Sequence, residues 1–400
     1  MPRNRELDRL RGFAVLITVY IHVMRMFFPW NTTPHYRGGT TILNVWSNPW
    51  NSVDLFLVIS GYIITKLLVT DIDPIDGNRV GLAQVVKAFY GRRFFRIYPV
   101  AWTVFFFVLL ASMFLNEGGM FGTPVNTVEA GVSIFTYTFN FFFAGGLYHA
   151  FPLAPYWSLA VEEQFYLIFP LFLLLIKGTR RRVLCLSAML LLTTFVIRPL
   201  TPGEQSIWYT QCRCDGLLYG SLIYFVTRQP WFSAIRISTP PNPWLGQTLV
   251  LLLLAVLAAL PGIGLSNALV LPVSCALASA LVFIAACESE VICFPVSIQR
   301  ILDYFGKRSY SLYVVHAPML VLTQELIQRY AREHFLTVGP GWEPVYVAIG
   351  VPLAALAAET LHRTVERPFL AIGKTWSARI LSSKYENSSG PTAESRVISA

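Results

Sequence analysis

Residues 9–22 read RLRGFAVLITVYIH and carry one histidine, His22, deep into an apolar run of membrane length. Arg11 and His22 are eleven positions apart, which at ~100° per residue is close to three full helical turns, so both side chains lie on one helix face. That face joins a cationic end to an imidazole about 16 Å further along the helix. Ionisable groups at membrane depth are costly and usually functional. The alternative is a structural histidine bonded to a neighbouring helix.

The composition of the chain is that of a membrane protein. Of its 400 residues, 54% are hydrophobic and only 13% are charged, and apolar residues recur in runs long enough to cross ~30 Å of hydrocarbon. The net charge of +9 does not indicate nucleic acid binding, because the basic residues cluster in short loops between apolar runs. We expect an all-α polytopic membrane protein of about ten transmembrane helices. The segments lie near 12–28, 51–70, 97–115, 157–176, 183–200, 209–227, 245–260, 269–287, 310–328 and 345–362.

The distribution of basic residues predicts the topology. Arginine and lysine concentrate in alternate loops, and the positive-inside rule places these loops and both chain termini in the cytoplasm. We expect a multi-pass protein of the cell (inner) membrane. The first segment is expected to be retained, since no small-residue cleavage site follows its apolar run. The aromatic region 131–156 is interpreted as an outer-face or re-entrant segment, because an eleventh helix there would move the basic run 177–182 to the outside.

Two further regions are assigned to the membrane surface or to solvent. Residues 71–96 are expected to form a cytoplasmic connection, with an amphipathic interfacial helix over 80–95 that leads into the third span. The transmembrane domain is predicted to cover 1–370. Residues 371–400 are predicted to be a cytoplasmic tail, disordered over 382–400, where Ser, Gly and Glu are frequent.

The cysteines do not predict a metal site. Cys212 and Cys214 form a lone Cys-X-Cys, and no second pair of ligands follows at a spacing suited to zinc. We expect neither a metal nor a required disulfide.

Arginines at one end of the bundle suit a phosphate-rich ligand. Arg93 and Arg96 lie one turn apart at the cytoplasmic end of the third span, Arg92 lies beside them, and Arg11 is at the same end. Guanidinium groups bind phosphate oxygens bidentately, and a nucleotide-bearing cofactor such as coenzyme A offers several. The alternative is a set of topology determinants lying against anionic lipid.

Several polar side chains within the spans are candidates for acid–base chemistry. Asp54 opens the second span at a depth similar to that of His22, and a carboxylate beside an imidazole would orient it as a general base. Glu162 is a further catalytic candidate. Glu162 and Tyr166 share a helix face at i, i+4, so they could bind an acceptor sugar or simply the neighbouring helices.

Three more residues are candidates for acceptor binding. Arg213 and Asp215 lie at the outer start of the sixth span, where a plain salt bridge is an equal alternative. His316 lies inside the ninth span, followed by Pro318. Proline frees a backbone carbonyl that the histidine or water could occupy, so a structural role for His316 is also open.

Taken together, these motifs resemble the acyltransferase-3 family of integral membrane O-acyltransferases over roughly residues 7–368. The resemblance implies that cytoplasmic acyl-CoA, commonly acetyl-CoA, donates an acyl group to a hydroxyl of a carbohydrate or a macrolide-type acceptor. It further implies that His22 is catalytic and that Arg11, Arg93 and Arg96 bind the donor. We expect the stand-alone type, without the fused SGNH hydrolase-like domain that some members carry. The motifs are LDRLRGFAVLITVYIH at 7–22, VDLFLVISGYII at 53–64, RRFFRIYP at 92–99, WSLAVEEQFYLIFP at 157–170, RCDGLLYG at 213–220, SYSLYVVHAP at 309–318 and VERP at 365–368.

Two other functions compete with this interpretation. A secondary transporter could use the intramembrane His, Asp and Glu as a proton relay. Against it, the sequence shows no pair of corresponding halves with interrupted helices, and clustered arginines suit phosphate better than a proton path. Specific stabilisation by coenzyme A would favour the enzyme, and substrate-driven proton flux the transporter. A scaffold in a polysaccharide-export complex would not need His22.

Overall fold

The computed structural model describes residues 4–28, 46, 48–75, 79–146, 148–201, 203–235, 243–288, 290–339 and 341–388. In these ranges the chain forms helices and no strands. The helices are α1 Arg5–Phe27, α2 Ser52–Ile72, α3 Arg79–Phe114, α4 Pro124–Phe135, α5 Phe139–Ala144, α6 Tyr156–Leu175, α7 Thr179–Leu192, α8 Arg198–Leu200, α9 Thr210–Arg213, α10 Asp215–Thr227, α11 Pro230–Ile235, α12 Pro243–Ala259, α13 Asn267–Ala286, α14 Val296–Lys307, α15 Ser309–Glu333, α16 Glu343–Leu361 and α17 Arg367–Ser388. Two π-helical turns, Thr193–Ile197 and His362–Glu366, join α7 to α8 and α16 to α17.

The predicted all-α polytopic membrane fold is confirmed. Within the described ranges, 8 helices are long and apolar enough to cross a membrane, and they correspond to eight of the ten predicted segments. The segment 209–227 instead breaks into α9 and the 13-residue α10, which rises only ~20 Å. The segment 310–328 lies in α15, which has 25 residues but many polar side chains. Both α10 and α15 are largely buried among the other helices.

The third span departs most from the sequence prediction. The predicted interfacial helix over 80–95 and the span at 97–115 form one helix of 36 residues, α3, about 54 Å long at 1.5 Å per residue. Its first half packs against α17, where the Trp376 ring lies so close to Gly91 that a Cβ there would approach it within 1.7 Å. One face of residues 80–95 is therefore covered by another helix.

The predicted tail begins inside α17. Residues 371–388 are helical, and Ser377 accepts a hydrogen bond of 2.8 Å from Arg92 of α3. This part of the predicted tail is packed onto the transmembrane domain. Residues 389–400 lie outside the described residues.

The described residues of 131–156 form no helix of membrane length. They comprise the end of the 12-residue α4, the 6-residue α5 and a 3₁₀ segment, Tyr148–Leu153. Gln164 of α6 donates hydrogen bonds to the Tyr137 carbonyl (2.5 Å) and to Asn140 (2.9 Å). These bonds hold the segment against the side of α6.

We predict that this segment does not cross the membrane and that residues 177–182 lie on the cytoplasmic side. In a variant without the native cysteines, Arg181→Cys should react with an impermeant thiol reagent in inside-out vesicles and not in right-side-out vesicles. Glu117→Cys, in the connection between α3 and α4, is the matched control and should show the opposite pattern. Labelling of Arg181→Cys in right-side-out vesicles would contradict the topology.

Helices α2 and α10 pack backbone to backbone near the centre of the bundle. A Cβ at Gly61 would lie 2.1 Å from the Leu217 carbonyl oxygen, and one at Gly220 would lie 2.1 Å from that of Val58. Only glycine allows this approach. It brings the start of α10 against the start of α2.

Candidate active site

Two joined cavities open at the end of the bundle where α1 begins. The outer one, here called the vestibule, has a volume of about 810 Å³. Six basic side chains line it: Arg11, Lys66, Arg96, Lys307, Arg308 and Arg367. The acidic side chains in the lining are Asp8 and Glu366, so the charge of the lining is strongly positive.

Two of these cations already have acidic partners. Arg11 lies 3.8 Å from Asp8, and Arg308 is ion-paired with Glu359. The hydrogen bond to Glu359 raises the pKa of the Arg308 guanidinium. In contrast, none of the hydrogen bonds or ion pairs of the described residues uses the Arg96 guanidinium, so Arg96 presents its donors to the vestibule.

The vestibule narrows into a smaller cavity, here called the inner chamber, of about 70 Å³. Arg11, Arg96 and Tyr310 line both cavities, while Arg93 and Glu162 line only the chamber. Tyr166 also belongs to its wall. The structure thus brings together all three arginines predicted to bind the donor, with two of the polar residues predicted on α6.

The arginines at the start of the third span divide between two faces. The Arg93 guanidinium lies over the Tyr166 ring, 5.2 Å from its centroid, and 5.8 Å from that of Phe89. Arg92 points away and donates to Asp71 at 2.9 Å. Arg92 therefore joins α3 to its neighbours and takes no part in lining either cavity.

Glu162 is held inside the chamber wall. Its carboxylate accepts hydrogen bonds from Ser60 (3.1 Å) and Tyr166 (2.5 Å). The neighbouring Glu163 faces a different groove and accepts from Tyr98 at 3.3 Å. The hydrogen bonds of Glu162 are therefore made with other residues of the chamber wall, and none of them reaches His22.

His22 lies against His316, with their ring centroids 4.8 Å apart in an edge-to-face contact. The Nδ1 atom of His22 is 2.8 Å from the Thr18 carbonyl oxygen and 3.3 Å from Nε2 of His316. The Nδ1 atom of His316 is in turn 3.0 Å from the Leu312 carbonyl oxygen. His316 thus bonds to Leu312, and the carbonyl that Pro318 frees is a different one.

A hydrogen bond separates the chamber from the histidine pair. His22 is in the lining of neither cavity. Ser158 and Tyr313, which line the chamber, are 2.5 Å apart through their hydroxyls, and the Tyr313 ring centroid is 6.1 Å from that of His316. Tyr313 therefore lies between the chamber that it lines and the ring of His316.

The predicted pairing of Asp54 with His22 is wrong. Asp54 is ion-paired with Arg213, and both side chains are fully buried. Asp54 lies on the face of α2 that meets α10, and the close packing at Gly61 and Gly220 brings Arg213 to it.

Arg213 and Asp215 belong to a buried network rather than to an open acceptor site. Asp215 is ion-paired with Arg198, whose guanidinium also donates to the Cys212 carbonyl at 2.6 Å. Arg213 lies 5.4 Å from the centroid of the Trp157 ring. Both residues form salt bridges, the alternative that the sequence left open, but their partners are Asp54 and Arg198. Sequence reasoning missed Arg198.

Sequence reasoning also missed four cations of the vestibule: Lys66, Lys307, Arg308 and Arg367. Lys307, Arg308 and Arg367 lie at helix ends, where basic loop residues are expected and none stands out. Lys66 lies inside α2, within the span predicted at 51–70. In the described ranges, no group of three or more His, Cys, Asp or Glu could hold a metal ion. The six cysteines, all described, form no disulfide.

The chain is similar to known proteins over most of its length. The family model of an acyltransferase domain matches residues 4–359. A Bacillus subtilis protein named "Putative peptidoglycan O-acetyltransferase YrhL" is 28% identical over 349 residues, which are 79% of this chain and 48% of that protein. The peptidoglycan O-acetyltransferase OatA of Listeria monocytogenes is 29% identical over 236 residues, or 55% of this chain and 33% of that protein.

A third relative is an uncharacterised protein of Haemophilus influenzae, 34% identical over 190 residues, which are 43% of this chain and 73% of that protein. The chain spans about half the length of the Bacillus relative and a third of the Listeria one. No solved structure shows significant similarity.

Proposed function

Because the chain belongs to the acyltransferase-3 family, we propose that it is a membrane O-acyltransferase. The proposed reaction moves an acetyl group from a coenzyme A thioester to a carbohydrate hydroxyl. The observation that carries the proposal is the basic vestibule that narrows into a chamber lined by Arg93 and Arg96. Its volume of about 810 Å³ lies in the range of small-molecule sites, roughly 300–1,000 Å³. Phosphate groups fit the wide cationic part, and only a thin chain such as the thioester arm fits the chamber.

The acceptor is proposed from the relatives. Two of them are named for peptidoglycan, whose sugars carry the hydroxyls, and this favours a carbohydrate over a macrolide. Acyl-CoA is made in the cytoplasm, so the vestibule should open on the cytoplasmic side of the cell membrane, as the basic loops of the sequence suggest.

His22 is the proposed general base of the transfer. Its Nε2 takes the proton of the acceptor hydroxyl while the hydroxyl oxygen attacks the thioester carbonyl carbon. The carbon–sulfur bond then breaks, and the leaving thiolate takes the proton back from His22. In this proposal the thioester arm displaces the Ser158–Tyr313 hydrogen bond to reach this position.

Glu162 and Tyr166 act in this proposal on the donor side. Glu162 fixes the Tyr166 hydroxyl, and the Tyr166 ring supports Arg93 at the chamber wall. Their place in the chamber suits positioning of the donor better than proton transfer at His22.

We predict that Arg96→Ala weakens coenzyme A binding about 10- to 100-fold, because a charge-assisted contact to phosphate contributes ~1.5–3 kcal/mol. The measurement is titration calorimetry of the purified protein with coenzyme A. Arg96 suits the test because its guanidinium makes no described bond that folding would lose. Arg93 supports ring contacts with Phe89 and Tyr166 and is a poorer choice.

Arg180→Ala is the matched control. It removes the same charge at the same end of the bundle from an exposed position and outside both cavity linings, so it should leave the affinity unchanged. Equal affinities in wild type and Arg96→Ala would make Arg96 a topology determinant. Absence of coenzyme A binding in wild type, with substrate-driven proton flux, would support the transporter instead.

A further inference from the structure

The hydrogen bonds around the two histidines determine which ring nitrogens carry protons. A carbonyl oxygen can only accept, so the contact with Leu312 requires a proton on Nδ1 of His316. A neutral His316 then offers the lone pair of Nε2 to His22. Because Thr18 also presents a carbonyl oxygen, both neighbours of Nδ1 of His22 are acceptors, and that nitrogen must carry the proton.

We propose that His316 is a positioning residue that fixes His22 as the Nδ1–H tautomer and so leaves Nε2 of His22 as the basic atom. This inference rests on the proposed acyl transfer. The single Nδ1–H of His22 is shared between the Thr18 carbonyl oxygen at 2.8 Å and Nε2 of His316 at 3.3 Å, and Nδ1–H of His316 donates to the Leu312 carbonyl oxygen. Nε2 of His22 has no hydrogen-bond partner among the described residues, and the His22 side chain is only partly buried.

The opposite tautomer of His22 is disfavoured by the same contacts. With the proton on Nε2, the lone pair of Nδ1 would face the lone pairs of Thr18 and His316 at 2.8 and 3.3 Å. An acceptor that faces only other acceptors makes no hydrogen bond with them, so this tautomer loses both contacts. The edge-to-face ring contact at 4.8 Å also limits rotation of the His22 ring.

A neutral imidazole suits this position better than a carboxylate. His316 is fully buried, with an exposed fraction of 0%, and a buried carboxylate without a cation is costly. The one carboxylate predicted for this role, Asp54, is neutralised by Arg213 elsewhere. When His22 takes the proton of the acceptor, its Nδ1–H bond to His316 becomes charge-assisted and strengthens at the step that needs it.

Three variants separate positioning from mere packing. In His316→Gln the amide oxygen reaches the position of Nε2 and can accept from His22. In His316→Asn the shorter amide reaches only the position of Nδ1, and His316→Leu keeps volume without polarity. We expect kcat of the Gln variant to stay within about tenfold of wild type, and kcat of the Asn and Leu variants to fall about 100-fold or more.

The same variants should keep their affinity for coenzyme A, because His316 lines neither donor cavity. Equal kcat in the Gln and Asn variants, or losses of activity that parallel losses of thermal stability, would overturn the positioning role. A wild-type protein without coenzyme A-dependent transfer would instead overturn the proposed function, whatever the variants do.

A measurement on the unmodified side chains covers the case in which the variants fail to fold. In wild-type protein labelled with ¹⁵N-histidine, the signals of His22 are assigned by their loss in His22→Gln. The chemical shifts should show a protonated Nδ1 and an unprotonated Nε2 at neutral pH. The Nε2–H tautomer would overturn the inference.

Discussion

Replacing His22 with glutamine should lower the rate of acyl transfer about 100- to 10,000-fold while the affinity for coenzyme A changes less than about twofold. Histidine is the common side chain whose unperturbed pKa, ~6.5, lets it take and return a proton near neutral pH. Glutamine keeps a polar group of similar reach but cannot do so, and general base catalysis typically contributes 10²- to 10⁴-fold. The donor cavities are lined by other residues, so binding should remain.

The measurement is transfer from radiolabelled acetyl-CoA, with donor affinity determined on the same preparation. His334→Gln is the matched control, because this histidine is exposed at the far end of α15 and should give wild-type rates. If His22→Gln keeps most of the activity, His22 is only a hydrogen-bonding group, and Glu162 in the chamber becomes the next candidate base. Absence of transfer in wild type, together with polysaccharide export that His22→Ala leaves intact, would support the scaffold.

The parts of the site that could be predicted from sequence are those that depend on one helix alone. The 3.6-residue period places Arg93 and Arg96 on a common face, and both line the chamber while Arg92 turns away. Apolar run length likewise predicts eight of the spans. Both properties are local, so the sequence contains them directly.

Contacts between helices could not be predicted in the same way. His22 and His316 are 294 positions apart in the chain, and no local pattern says that their faces meet. Asp54 and His22 were matched by depth alone, but depth does not determine the angular position of a side chain around the bundle. Similarly, the pattern of residues 80–95 shows that one face is covered, and only the structure shows that α17 covers it.

The buried charge network leads to the second large effect. Replacing Arg213 with methionine should lower the free energy of unfolding by about 3–5 kcal/mol, because it leaves Asp54 buried without its cation. Both side chains have an exposed fraction of 0%, so water cannot replace the lost partner. The neighbouring pair of Arg198 and Asp215 is itself neutral and cannot compensate.

The double variant Arg213→Met with Asp54→Leu distinguishes this cause from lost packing. Since an apolar pair of similar volume is often as stable as a buried ion pair, the double variant should recover most of the stability that Arg213→Met loses. Unfolding would be followed in mixed detergent micelles by titration with sodium dodecyl sulfate. If the double variant were as unstable as Arg213→Met, the loss would come from the contact with Trp157 rather than from an uncompensated Asp54. If Arg213→Met alone were as stable as wild type, the network would not hold α2 to α10.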